Sequence, residues 1–419
     1  MKRLEFFYDF VCPYAYLAST QVRALAKACN AELVYRPVLL GGIFNHLRGS
    51  SANEYAPNQL NDAKARINQR DLERYAQLFS APLSKPASHP RRTVLALRAA
   101  MASSDLPAAT HALFDAYWGR GEDLEDAAVV QGALEHAGLP GAELVAKAHE
   151  QKAPLTAATR EAFEAGIFGV PTFRVDNELF WGQDRLDFVA RALDPARDGW
   201  QALDTEASPQ ASQIEFFFDY SSPFAFLAHT QIGWLERRSG VEVKPIPFLL
   251  GALFKAVGTG DVPLFTFPES KRLYVARDLD RFARQYAVDF RFPDVFPLRS
   301  VAPLRVCLAA QAALPALEAR RLSDALFTAY WSQNRDISQP DVLSAVLAEQ
   351  SLPPSLLEAT ATDAVKQALR DNTDYAVQSG LCGAPTFKVG SELFWGQDRL
   401  PMVAHAARVG FPATASSSP

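Results

Sequence analysis

Hydrophobic and polar positions fall into a pattern that the chain uses twice. Arg3 to Phe10 is a short aromatic run with β-prone side chains, and it predicts a strand. From Pro13 to Cys29 the apolar positions Tyr16, Leu17, Val22 and Leu25 recur at helical spacing. Glu32 to Val38 alternates and predicts a second strand. A long block dominated by Ala, Leu, Arg and Gln then reads as helical. After Gly169, Thr172 to Val175 and Glu178 to Trp181 predict a hairpin turning at Asp176-Asn177, and a last helix starts near Gln183. The predicted order is β-α-β, a helical insertion, then β-β-α.

The second half of the chain repeats this order. Leu4–Gln21 (LEFFYDFVCPYAYLASTQ) matches Ile214–Gln231 (IEFFFDYSSPFAFLAHTQ) at ten of 18 positions, an offset of 210. Gly169–Leu186 matches Gly383–Leu400 at 14 of 18, an offset of 214. ALFDAYW, ending at Trp118, is answered by ALFTAYW, ending at Trp331. The period is far longer than that of a solenoid repeat. The fold class is therefore α/β: a tandem duplicated thioredoxin-like sheet, each copy interrupted by helices. The expected boundaries are a first domain at 1–195, a linker at 196–212 rich in Pro, Ala, Ser and charge, and a second domain at 213–410. A disordered tail is expected at 411–419. Internal duplication can replace a homodimer, so the expectation is a monomer with pseudo-two-fold halves.

Composition narrows the function classes. Forty-two Lys and Arg against 47 Asp and Glu give a net charge of -5, which argues against a nucleic-acid partner. No apolar run is long enough for a membrane span. The N-terminal run is too short and too acidic for a signal-peptide core. Four cysteines without a C-x-x-C pair suit unpaired thiols and a cytoplasmic setting. The seven histidines show no metal-ligand spacing, so no metal site is expected.

Three repeated motifs carry candidate chemistry. The first strand of each half runs into a helix through Cys12-Pro13 or Ser222-Pro223. Proline suits the first turn, and the free N–H groups and dipole there favour a thiolate, the protein's own or a ligand's. Ser222 is equally suited to capping its helix. Val170-Pro171 and Ala384-Pro385 each open a strand. In thioredoxin-type folds a proline so placed is cis, faces the helix start, and lets its neighbour offer backbone groups to an extended peptide. In FWGQDRL, Gln183-Asp184 and Gln397-Asp398 sit at a strand-to-helix corner. Such a corner can hold a carboxylate on its N–H groups and an ammonium on the aspartate, the two charges of an α-amino acid. In the alternative, each Asp caps the helix, Arg185 and Arg399 pair with it, and Trp181 and Trp395 are core. Cys382 reads as a buried apolar thiol. Arg91, Arg92 and Arg299 can meet a carboxylate, whereas Arg74 and Arg281 are expected to pair with acids on helix surfaces.

The D-F-x-[SC]-P-[YF]-x-[YF]-L start, the G-x-P-T-F segment and the closing F-W-G-Q-D-R-L resemble the 2-hydroxychromene-2-carboxylate isomerase family. That family sits with the kappa-class glutathione transferases in the DsbA-like branch of the thioredoxin fold. The resemblance covers both halves. It implies glutathione as cofactor, a small aromatic carboxylate as substrate, and an isomerase of aromatic catabolism in which glutathione thiolate adds to the substrate and leaves unchanged. It implies that Ser222 stabilises that thiolate. Cys12 departs from the family serine, and Ala15 stands where a two-cysteine oxidase has its partner. The family's helical insertion also supplies an asparagine. Counting back 13 residues from Asp71 places it at Asn58, whereas the same count from Asp278 reaches Phe265. Ser222 and Cys12 are thus the catalytic candidates. Asn58, Val170, Pro171, Gln183, Asp184, Ala384, Pro385, Gln397 and Asp398 are the glutathione-binding candidates. Two rival readings stand beside the isomerase. One is a kappa-like glutathione transferase or thiol–disulfide oxidoreductase using Cys12, and the other is a non-catalytic glutathione-binding scaffold.

Overall fold

The computed structural model describes all residues except 51–59, 201–202, 204–206, 261 and 413–419, and describes no side chain at 49 or 50. Asn58 and most of the expected tail lie outside the described residues.

Each half builds one four-stranded sheet. In the first half the strands are β1 (Arg3–Tyr8), β2 (Glu32–Pro37), β3 (Thr172–Val175) and β4 (Glu178–Trp181), in the order β2-β1-β3-β4. In the second they are β5 (Ile214–Phe218), β6 (Val243–Pro247), β7 (Thr386–Val389) and β8 (Glu392–Trp395), in the order β6-β5-β7-β8. The first pairing in each sheet is parallel and needs a crossover helix; the other two are antiparallel. Pro13–Ala28 supplies the crossover in the first half. Its counterpart is broken at Gln231 into Pro223–Thr230 and Ile232–Ser239.

The central strands are buried almost throughout, as strands covered on both faces must be. Phe6 stacks on Tyr8 and Phe173, and Phe216 stacks on Phe218 and Phe387. One acid in each central strand is tolerated because its cross-strand neighbour is a base. Glu5 lies opposite Arg174 and bonds both Arg174 and Arg36, while Glu215 lies opposite Lys388 at 3.2 Å.

Contacts divide the chain into two compact units, and neither is a single stretch of sequence. One comprises Met1–Asn58, Gln69–Ala202 and Phe267–Tyr274. The other comprises Gln59–Asn68, Leu203–Thr266 and Val275–Pro419. The first turns of the helix Asp62–Leu78 thus count with the second sheet, and those of Glu269–Gln285 with the first. Within the second unit Ala63 and Ile67 pack on Cys382, with Leu393 and Trp395 beside them. Within the first, Tyr274 packs edge-on against Phe168 and Trp181, and its hydroxyl accepts from the Trp181 backbone N–H at 2.9 Å. Among the described residues no helix is long and apolar enough to cross a membrane.

Candidate functional site

A buried aspartate fixes each strand-to-helix junction. Asp9 accepts from the Thr93 hydroxyl at 2.5 Å and from the backbone N–H groups of Leu40 and Val11. Asp219 accepts from the Ser300 hydroxyl and from the N–H groups of Leu250 and Ser221, each at 2.9 Å. Burial pushes both carboxyls above the usual carboxylate value, and these donors pull them part of the way back. The Asp therefore ties the loop that presents Cys12 or Ser222 to the helical insertion.

Cys12 and Ser222 occupy equivalent places and are both buried. The Cys12 thiol donates to the Val170 carbonyl at 3.1 Å, and the Ser222 hydroxyl donates to the Ala384 carbonyl at 2.9 Å. The carbonyl in each case belongs to the residue before a proline, and Val170-Pro171 and Ala384-Pro385 are both cis. The helix start and the proline loop thus face each other as the sequence predicts. The two side chains differ in a second contact. Ser222 Oγ also accepts from the Ala225 N–H at 3.2 Å and caps its helix, whereas Cys12 makes no side-chain cap. Burial pushes the Cys12 thiol up to about 12, although the Ala15 and Tyr14 N–H groups favour the thiolate. Of the two states open to Cys12 from the sequence, this environment holds the neutral S–H donor.

The closing motif is stitched to the proline loop. Gly182 N–H donates to the Pro171 carbonyl at 2.9 Å, and Gly396 N–H to the Pro385 carbonyl at 3.0 Å. Gly182 and Gly396 have φ of 106° and 114°, and a Cβ at either would collide with the carboxylate of Asp184 or Asp398. Asp184 and Asp398 lie 3.2 Å from Arg185 and Arg399, one residue along. The arginine pairing expected of a purely structural motif is therefore present. Gln183 and Gln397 are buried beside them. Trp181 and Trp395 crowd the glycine that opens the other motif. A Cβ on Gly169 would lie 2.9 Å from Trp181 Nε1, and one on Gly383 would lie 2.7 Å from Trp395 Nε1.

Two lysines were not singled out from the sequence. Lys64 lies 5.1 Å from the Trp395 ring centre, and burial lowers its ammonium's pKa. Lys271 lies 5.4 Å from the Trp181 ring. Each stands seven residues before its reference aspartate, Asp71 or Asp278, so aligning the insertions would have paired them. The arginines need one correction. Arg74 does pair with Asp71, at 2.8 Å, but it is fully buried rather than on a helix surface. Arg281 lies 3.6 Å from Asp278, and Arg91 is tied to Asp123. Cys382 is buried among apolar neighbours.

The model of the DsbA-like thioredoxin domain matches twice, over residues 3–194 and 213–408. The 2-hydroxychromene-2-carboxylate isomerase of Sphingobium xenophagum is 31% identical over 197 residues, covering 46% of this chain and 98% of that enzyme. Glutathione S-transferase kappa 1 of Caenorhabditis elegans is 28% identical over 211 residues, covering 47% of this chain and 91% of that one. A solved 2-hydroxychromene-2-carboxylate isomerase aligns with a TM-score of 0.41 and 24% identity, over 46% of this chain and 95% of its own. Each relative corresponds to about half of the chain. The chain belongs to the DsbA-like thioredoxin family, carries its domain twice, and has 2-hydroxychromene-2-carboxylate isomerases and kappa-class glutathione transferases as relatives.

Proposed function

We propose that the protein is a glutathione-dependent isomerase of the 2-hydroxychromene-2-carboxylate type, acting on a small aromatic carboxylate. The observation that carries this reading is the Ser222 hydroxyl at a helix start, 2.9 Å from the carbonyl that precedes Pro385. The donor set suits glutathione. A neutral hydroxyl beside helix N–H groups matches an anionic sulfur. Gln397 and Asp398 offer polar groups of the kind that would hold the α-amino-acid end. Lys64 brings an ammonium to Trp395, in the same motif, for a carboxylate. When bound, glutathione would supply the thiolate that adds to the substrate double bond and leaves after rotation.

The protein's own part is the control of charge. The Ser222 hydrogen now points to the Ala384 carbonyl while the oxygen is held by the Ala225 N–H. The hydroxyl can turn toward an anionic sulfur about a fixed oxygen. It gives up a neutral hydrogen bond worth about 1 kcal/mol and makes a charge-assisted one about twice as strong. That gain appears only with the anion present, so it favours the reactive form of the nucleophile.

Isomerisation of a hydroxychromene carboxylate, followed with and without glutathione beside conjugation of an aromatic electrophile, tests the proposal. Glutathione-dependent isomerisation is expected to dominate. Equal rates without glutathione would remove the reading, and dominant conjugation would favour a kappa-like transferase. The thiol–disulfide alternative is weakened by Ala15 and by the suppressed ionisation of Cys12.

A further inference from the structure

The loop between the long insertion helix and the next helix has the same frame in both halves but opposite chemistry. Ser84 N–H donates to the Trp118 carbonyl at 2.6 Å, and Arg291 N–H donates to the Trp331 carbonyl at 2.7 Å. His89-Pro90 and Phe296-Pro297 are both cis. Thr93 and Ser300 then reach Asp9 and Asp219. These anchors fix the register, so Lys85 corresponds to Phe292 and His89 to Phe296.

In the second half this frame carries a nest of phenyl rings. Phe292 and Phe296 meet at 4.9 Å, Phe265 meets Phe296 edge-on at 5.9 Å, and both loop rings lie on Trp331. Trp331 is fully buried, yet Phe265 is 50% exposed, Phe292 40% and Val295 52%. The loop under these rings is anchored. The Tyr330 hydroxyl donates to the Val295 carbonyl at 2.7 Å, and Asp294 is bonded twice to Asn334. In the first half His89 takes the place over Trp118, bonded to the Tyr117 hydroxyl at 3.0 Å, with exposed Lys85 close enough to depress its pKa beyond the effect of burial. The apolar phenyl nest is therefore no requirement of the loop.

Its place ties it to the candidate site. Trp331 Nε1 donates to the Tyr220 carbonyl at 2.8 Å, two residues before Ser222. An exposed aromatic nest, rigidly seated and continuous with the Ser222 loop, offers ring faces and edges at the separations that suit another aromatic ring. We infer that Phe265, Phe292 and Phe296 form the second half's binding surface for a planar aromatic ligand, and that the two halves differ in the second substrate they accept. This rests on the glutathione reading only for what the aromatic ligand reacts with.

The test is calorimetric titration of the full chain with glutathione, S-benzylglutathione and 2-naphthoate. S-benzylglutathione is expected to bind one site about tenfold more tightly than glutathione. Phe292→Lys with Phe296→His, which installs the first half's residues, should erase that gain and leave glutathione binding unchanged. The exposed Phe292→Lys change alone guards against misfolding and should erase part of it. A gain that survives the double change would overturn the inference. If glutathione fails to bind at all, 2-naphthoate decides separately. Binding lost in the double variant upholds the aromatic surface while the glutathione reading falls, and binding equal in both forms removes the surface. A dimer that dissociates in the double variant, with probe affinity unchanged, would assign the rings to contact between copies and overturn the inference.

Discussion

Cys12 and Ser222 stand at the same point of the same fold and bond the same kind of carbonyl, yet their surroundings ask different things of them. Ser222 closes two hydrogen bonds and caps its helix, while Cys12 closes one and caps nothing. A hydroxyl is a strong donor that stays protonated across the physiological range. A thiol is a weak donor whose use as a nucleophile requires ionisation. Helix starts commonly lower thiol pKa values, but here burial outweighs the two N–H groups. The fold can thus offer a thiol where a redox enzyme has its nucleophile and still suppress the reactivity.

The largest effect that would sharpen this comparison is on turnover. Ser222→Ala is expected to lower glutathione-dependent isomerisation by roughly 10²-fold, the cost of one well-placed donor, while Cys12→Ala leaves most of the activity. The reverse pattern in steady-state kinetics would put the working site in the first half.

A smaller effect is expected at the closing motifs. Asp184→Ala and Asp398→Ala should each weaken glutathione in their own half by about 1.5–3 kcal/mol, the loss of a charge-assisted contact. Calorimetry showing unchanged affinity would leave each aspartate a structural residue of its corner.

The third measurement concerns Cys12 itself. Its folded pKa lies above the ordinary thiol value of 9.0, so the neutral form persists as pH rises past 9 and the thiolate grows only toward about 12. Over the same window the unfolded chain ionises first, so this thiol withdraws stability as pH rises through it. Alkylation of Cys12 by iodoacetamide, read by peptide mass spectrometry, should be slow at pH 8 and climb steadily above pH 9. Fast labelling near pH 7.5 would show a thiolate and restore a redox role to the first half.

The strands and their order along the chain were readable because each strand is short, aromatic and bounded by turn residues, and because the pattern occurs twice. The hairpin turn at Asp176-Asn177 was readable for the same reason, and Asp176 indeed has a positive φ of 53°. The facing of helix start and proline loop followed from the repeated motifs. The insertion was less readable. Its helices show the right period, but period alone does not say which turn packs on which sheet, and Ala63, Lys64 and Ile67 meet Cys382 and Trp395 far away in sequence. Burial of the Arg74–Asp71 pair was missed because its i, i+3 spacing reads as a surface pair. The aromatic loop was missed because Phe292 and Phe296 fall in a Pro-rich connection without periodicity.

The glycine–indole contact bears on how duplicated sequences drift. Trp181 fills the space beside Gly169, and Trp395 the space beside Gly383, so a side chain cannot enter at the glycine unless the ring gives way. Gly182 and Gly396 are bound in the same manner to the carboxylates that follow them. At each of these glycines a side chain can enter only if the neighbouring tryptophan or aspartate gives way. Such a block would stay identical in both copies even if one had lost its ligand. The longest match between the halves therefore says least about which of them works, and the places where they have parted say most.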